Sequence, residues 1–440
     1  MNKQIFFILT IFHLTASIVL GSNTIEVQLS EAVHQALESH PSIKMSRSNT
    51  NMARLDEKMA FTNFLPKVSS NTYLTRSDMT MLMSSIEPSM PRNTVMIMPD
   101  DFWLQDITVM IPLFTGGRNL AQMKKTRYLY QASQQDLYSS QLVLSMRVKE
   151  SFRMAQYSQK QTTAYQQMEL QASERLENSK TAFNAGKTAK TTVLRDEAEL
   201  AKASRMKVMA ETDYQTALVR LRSLLGLSSD TPLVLKGDSL EPLQNPFTRE
   251  SLNQKVWNTN PQYSALSIKR EAARMSVSEN RANLFPQISF MGMQDWYKKD
   301  MTGKDSGYAY GLVMSFPFFG SGETLYQVNQ ARESLKMADY ILSDTQREIQ
   351  SELDSQWLTL EAAQKVISFT QKELTSSLEN ERIMDLAYRA GKRTQQDYLE
   401  AVALRYQAEA NHAQACLNYN LTLDQLYFLT GSDPLIKTSD

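Results

Sequence analysis

Residues able to do catalytic or metal chemistry are few in this chain. A single cysteine, Cys416, excludes an internal disulfide and any thiolate-based zinc or iron–sulfur centre. The four histidines, His13, His34, His40 and His412, are scattered, and no HExxH, GxSxG, GxGxxG or phosphate-loop pattern occurs. The reading is a protein without catalytic residues, cofactors or a metal-ligand set. One stretch invites a metal: Met79, Met81, Met83, Met90, Met96 and Met98 lie close together, and thioethers suit Cu(I). Yet the chain holds 24 methionines, and a flexible, polarisable residue used this freely is first a packing residue.

The elements that would hold any site are long. Glycine and proline number 14 and 13 in 440 residues, about half of ordinary usage, so the chain has few corners. Lys+Arg and Asp+Glu are equal at 47 each, which removes the electrostatic case for nucleic acid. Residues 1–21 carry Lys3, then an apolar run, then modest residues near Gly21, which predicts a cleaved export signal. No later run of 18 apolar residues follows, so re-entry into a membrane would need strands.

The sequence is written twice. His40-Pro41 begins a segment ending at Pro66, and Asn260-Pro261 begins one ending at Pro286, an offset of 220. Pro112-Leu113-Phe114 matches Pro317-Phe318-Phe319 at an offset of 205. The same offset joins Ala185-Gly186-Lys187 to Ala390-Gly391-Lys392, Tyr214 to Tyr419, and Gly226 to Gly431. Residues 118–185 and 323–390 each run 68 positions without glycine or proline, and 187–225 and 392–430 each run 39. Leu137, Leu144, Val148, Phe152 and Ala155, then Tyr165, Met168, Ala172, Leu176 and Phe183, follow a coiled-coil rhythm. Ser158 and Thr162 carry the register between the two sets. These spacings predict two long antiparallel helical hairpins, turning at Gly186 and Gly391.

The expected organisation is a signal over 1–21, a first repeat over 22–226, a linker over 227–250, a second repeat over 251–431 and a tail over 432–440. Shorter helices are expected at 30–65 and 251–285. β-Branched and aromatic runs predict strands at about 68–79, 103–114, 287–297 and 308–318, each near the 10 residues of a tilted membrane strand. Four strands cannot close a barrel, so copies of the chain must complete it; two copies or three would serve. A periplasmic adaptor, which also carries a helical hairpin, and a structural coiled coil are the competing readings. An adaptor would have one hairpin rather than two, and a coiled coil would lack the strands.

Leu29-Ser30-Glu31-Ala32-Val33 through His40-Pro41, the Pro112–Arg118 stretch Pro-Leu-Phe-Thr-Gly-Gly-Arg, and the turns Phe183-Asn184-Ala185-Gly186 and Tyr388-Arg389-Ala390-Gly391 resemble the TolC-like outer-membrane efflux proteins. The resemblance implies a mainly α fold with a small β part. It implies a homotrimer with a 12-stranded β-barrel in outer-membrane lipid, a periplasmic α-barrel and an equatorial region around its waist. The partners it implies are a periplasmic adaptor and an inner-membrane pump of an efflux or type I secretion system. The adaptor would dock at tips formed by Asn184, Ala185, Gly186 and Lys187, and by Ala390, Gly391 and Lys392.

By position relative to Gly391, the same resemblance assigns a periplasmic gate to Tyr388, Arg393, Asp397 and Glu400. Asp397 and Glu400 are three apart and share a helix face, so threefold repetition would bring six carboxylates towards the axis. In the first hairpin the family's gate acid falls on Thr192. Either Asp196 substitutes or this lock is weaker.

Overall fold

Where proline follows a residue, that residue is pushed out of the helical region, and two such sites divide the shorter helices. His40 (φ −67°, ψ 132°) and Asn260 (φ −66°, ψ 116°) are extended, and each side chain caps the helix that starts at the next proline. The single helices expected at 30–65 and 251–285 are therefore corrected to two apiece. The computed structural model describes residues 25–76, 82–84, 95–97, 101–236, 240–298 and 305–436.

In chain order the first repeat contains β1 (Ile25–Val27), α1 (Leu29–Ser39), α2 (Pro41–Thr62), β2 (Lys67–Arg76), β3 (Leu82–Ser84), β4 (Val95–Ile97), β5 (Asp101–Phe114), α3 (Arg118–Asn184) and α4 (Lys190–Leu225). Then come β6 (Leu233–Leu235), α5 (Arg249–Thr259), α6 (Pro261–Ala282), β7 (Gln287–Lys298), β8 (Asp305–Ser315), α7 (Glu323–Arg389) and α8 (Gln395–Leu429). The duplication is visible in lengths: α2 and α6 have 22 residues each, α3 and α7 have 67. The expected signal lies outside the described residues, as do Met79, Met81, Met90 and Met98. Of the methionine-rich stretch only Met83 and Met96 fall within them, opposed across the β3–β4 ladder.

The chain gathers into two units. One takes the chain up to Gln35 together with Ser151–Leu240. In it β1 pairs in parallel with β6, a contact unforeseen in the linker at 227–250. Phe152, Ala155, Ser158, Thr162, Ala172 and Leu176 of α3 are buried, as are Ala203, Ala210, Leu218 and Leu221 of α4. Towards the turn the buried stripe continues in Ser179, Val193 and Asp196, and Phe183, expected in the seam, is exposed.

The second unit takes Ala36–Glu150 and Glu241–Asp440. At 1.5 Å per residue α7 runs about 100 Å, and α8 packs back along it. Their seam is tightest where Ile349, Leu353 and Leu360 meet Tyr419, Leu423 and Leu426, under Phe247, Leu252 and Val256 around α5. Steps of three, four and seven keep these residues on one stripe. Leu358, Phe369, Leu378 and Leu386 of α7 remain exposed.

The same unit holds a four-stranded antiparallel sheet in the order β2-β5-β7-β8. Its register places Val68, Ile107, Gln294 and Tyr308 on one face, with Val109, Ile111, Phe290, Trp296, Tyr310, Leu312 and Met314. The opposite face mixes Ser69, Asn71, Asp106, Thr108, Ser289 and Asp295 with Leu104, Met110, Met291 and Met293, and carries Gly307, Ala309 and Gly311 on β8. Asn71 donates to the Asp106 carboxylate at 3.0 Å. Pro112, which has no N–H to give, lies beyond the β2 pairing at a bulge between Pro112 and Phe114. The last strand, expected at 308–318, stops at Ser315, because Pro317 cannot extend the ladder. Phe318 and Phe319 are left 90% and 86% exposed. No described helix is long and apolar enough to cross a membrane.

Candidate functional site

The two hairpin turns are built alike. In the first, Gly186 N–H donates to Phe183 O at 2.9 Å and Lys187 N–H to Ala182 O at 2.8 Å. In the second, Gly391 N–H donates to Tyr388 O and Lys392 N–H to Ala387 O, both at 2.9 Å. This pattern closes a helix C-terminus only when the middle residue is left-handed, and Gly186 and Gly391 have φ of 69° and 70°. Asn184, Ala185, Lys187, Ala390 and Lys392 are all exposed around these glycines.

Four residues on the second hairpin surround its turn. Tyr388, exposed near the end of α7, stacks on Tyr398 of α8 with ring centroids 5.8 Å apart and planes 4° from parallel. Arg393 is exposed in the turn, and Glu400 is exposed on α8. Asp397 also caps the start of α8. Its carboxylate accepts the Thr394 N–H at 3.0 Å, and the Thr394 hydroxyl accepts the Asp397 N–H at 3.3 Å, a reciprocal cap on α8. These bonds, with Arg393 nearby, hold the Asp397 carboxyl below the usual aspartate range.

The family follows from both halves of the chain. A model described as outer membrane efflux protein matches residues 32–227 and 252–432. The chain belongs to this family. The two matched blocks skip the segment 228–251, where the sequence shows a linker between its copies. Among curated proteins it is similar to the alkaline protease secretion protein AprF of Pseudomonas aeruginosa, 26% identical over 220 residues. That match covers 47% of this chain and 44% of the relative, so under half of that protein's length is spanned. Among solved structures, a membrane protein from Pseudomonas aeruginosa aligns with a TM-score of 0.79 at 15% identity, covering 94% of this chain and 93% of that one. The CmeC outer membrane channel of Campylobacter jejuni aligns with a TM-score of 0.78 at 16% identity, covering 92% and 85%. The long-helix hairpins with a small sheet are thus the architecture of this outer-membrane family, whose solved relatives are channels rather than enzymes.

Within the family fold, the first hairpin departs from expectation. Asp196 is 1% exposed, and neither of its carboxylate oxygens has a hydrogen-bond partner among the described residues. Its side chain is thus not presented at the hairpin surface, and the Thr192 hydroxyl accepts a hydrogen bond from Thr188 at 3.2 Å. Sequence reasoning also missed a clamp higher on the second hairpin. Arg405 of α8 is ion-paired with Glu381 of α7, bonds Glu409 at 2.9 Å and lies 3.8 Å over the Tyr406 ring. Burial pushes the Glu381 carboxyl up, and Arg405 pulls it partly back. Among the described residues no group of three or more His, Cys, Asp or Glu gathers to hold a metal.

Proposed function

We propose that this chain is one third of an outer-membrane exit duct. Three copies close a 12-stranded barrel in lipid and a helical tube in the periplasm, with the β1–β6 pair and the linker at its waist. Substrates pass through passively from an inner-membrane pump and a periplasmic adaptor, in efflux or type I secretion. The carrying observation is the four-stranded sheet, in which the outer edges of β2 and β8 have no strand partner among the described residues. In lipid each unsatisfied backbone group costs several kcal/mol, so the edges must meet other copies. The exposed apolar residues of α7, Leu358, Phe369 and Leu378, favour lateral neighbours in the same way. The names of the family and of AprF support efflux and protein secretion respectively.

In this reading Tyr388, Arg393, Asp397 and Glu400 form the periplasmic gate. Six carboxylates around the axis then attract cations and keep the constriction narrow. The turns at Asn184–Lys187 and Ala390–Lys392 meet the adaptor. The test is twofold. A heat-resistant trimer is expected in outer-membrane fractions, and Asp397→Ala with Glu400→Ala is expected to raise single-channel conductance in planar bilayers and relieve block by multivalent cations. A soluble monomer without lipid affinity would end the duct reading, and unchanged conductance would end the gate assignment.

A further inference from the structure

Charge is balanced over the chain but not at its two hairpin turns. Residues 178–195 contain Lys180, Lys187, Lys190 and Arg195 and no acid. Residues 386–396 contain Arg389, Lys392 and Arg393 and again no acid. With 47 charges of each sign in the chain, even mixing would put acids in both segments.

Helix physics explains only part of this. Cations complement the C-terminal ends of α3 and α7, and Arg389 is paired with Asp385 at 3.0 Å. Lys180 lies 3.9 Å from Glu197. But Lys190 opens α4, and Lys392 and Arg393 stand just before α8, where the dipole favours acids. The start of α4 has no acid in its first turn and no side-chain cap, its N-cap being Ala189. Lys187, Lys190 and Lys392 are exposed and held in no ion pair among the described residues, and Arg393, also exposed, has only the Asp397 charge near it. Positive charge kept where it weakens the helix start, at corresponding turns of both repeats, points to something outside the chain.

Each turn also shows apolar surface beside its cations: Phe183 and Leu194 in the first, Leu386 and Tyr388 in the second. Phe183 and Tyr388 each precede the left-handed glycine by three residues and correspond under the repeat. An aromatic anchor rimmed by charge is the make-up of a protein–protein hot spot, whereas a lipid headgroup needs no shaped anchor. Resting on the docking reading above, we propose that each turn receives an acidic apical segment of the partner protein, with Lys187 and Lys190, or Lys392 and Arg393, facing its carboxylates. Complementary charge here sets the choice of partner and the rate of encounter more than raw affinity.

The test uses the full chain in lipid nanodiscs. The probe is a soluble adaptor-type helical-hairpin protein made with aspartates, glutamines or lysines in its apical loop. The aspartate form is expected to bind at least about tenfold tighter than the glutamine form. That advantage should shrink severalfold between about 50 mM and about 300 mM salt. Lys187→Glu with Lys190→Glu, combined with Lys392→Glu, should shift the preference to the lysine form while insertion and assembly persist. Equal binding of all three forms, or indifference to the reversals, overturns the proposal and leaves docking at the turns standing. Capture of phosphatidylglycerol vesicles through these lysines, with none of the three probes bound, overturns it in favour of a lipid surface. Failure of Ala185→Cys and Ala390→Cys to crosslink to any form would remove docking itself.

Discussion

Thr394 and Asp397 hold each other: the threonine N–H reaches the aspartate carboxylate at 3.0 Å, and the aspartate N–H reaches the threonine hydroxyl at 3.3 Å. The residue proposed as a gate acid is thus also the clip that starts α8. Charge and structure can be separated by mutation. Thr394→Val, which removes the hydroxyl half of the cap but keeps the carboxylate and the backbone N–H it accepts, should cost about 1 kcal/mol of local stability and speed amide exchange at 394–400. Asp397→Asn, which keeps an acceptor but not the charge, should alter conductance with much less fraying. If both variants change exchange and conductance equally, the two roles are one.

The cap also sets the sign of a pH response. The Asp397 carboxyl is lowered from its ordinary value of 3.8, first by the Thr394 backbone N–H, then by the threonine side chain, with Arg393 adding charge. A lowered carboxyl contributes stability above its unfolded pKa and loses it as pH falls through the folded value. Cap and charge should therefore persist from neutral pH down through 3.8 and fail only in stronger acid. Titrating amide exchange at the start of α8 checks this, and in Thr394→Val the transition should move to higher pH. A transition near neutrality would contradict the assignment.

How much of this was readable in the residues depends on distance along the chain. The two hairpins, their turns at Gly186 and Gly391 and the four strands of the larger sheet follow from local periodicity and punctuation. The cap was readable too, since Thr394-Gln395-Gln396-Asp397 has the spacing of a capping box, but the family analogy drew attention to charge instead. The β1–β6 pair was not readable. Three-residue strands over 200 positions apart, Ile25–Val27 and Leu233–Leu235, leave no alternation to detect. The burial of Asp196 was hidden for another reason, because a heptad shows which face is inward only once the partner helix is placed.

Glycines that look equivalent should differ in tolerance. A Cβ at Gly186 or Gly391 would meet nothing within 4 Å, so alanine there pays only the left-handed backbone cost, about 1–2 kcal/mol. A Cβ at Gly431 would overlap the carbonyl oxygen of Thr259, and one at Gly116 that of Ala282. Those alanine variants should lose about 1–3 kcal/mol more through overpacking. Thermal denaturation of the four variants is the check, with Gly431→Ala and Gly116→Ala expected to melt lower.

Asp196 should be a weak point in the first hairpin. A carboxylate 1% exposed with neither oxygen bonded among the described residues carries a desolvation cost without return. Asp196→Asn keeps the shape and removes the charge, and should stabilise the hairpin by about 1–3 kcal/mol, read as slower proteolysis near 178–200. A loss of stability would mean that the carboxylate meets a partner in the assembled protein.

Lys149 should be the reverse case, a buried charge the fold depends on. Its ammonium lies 2.7 Å from Asp433 and 3.5 Å from Asp424, with all three side chains 4% exposed. Ser145 donates to the second Asp433 oxygen at 2.5 Å, and Tyr138 donates to Gly431 O at 2.7 Å. Together these contacts fasten the segment after α8 to the middle of α3, across nearly 300 positions of sequence. Lys149→Met would leave the Asp433 carboxylate buried without its cation, and breaking such a pair costs about 3–5 kcal/mol. Adding Asp433→Leu to that variant should recover part of the loss, since the cost lies in the orphaned charge more than in the missing bond. Protease release of the C-terminal segment would report both effects. Release equal to wild type in Lys149→Met would show that the fastening rests on the apolar contacts around it instead.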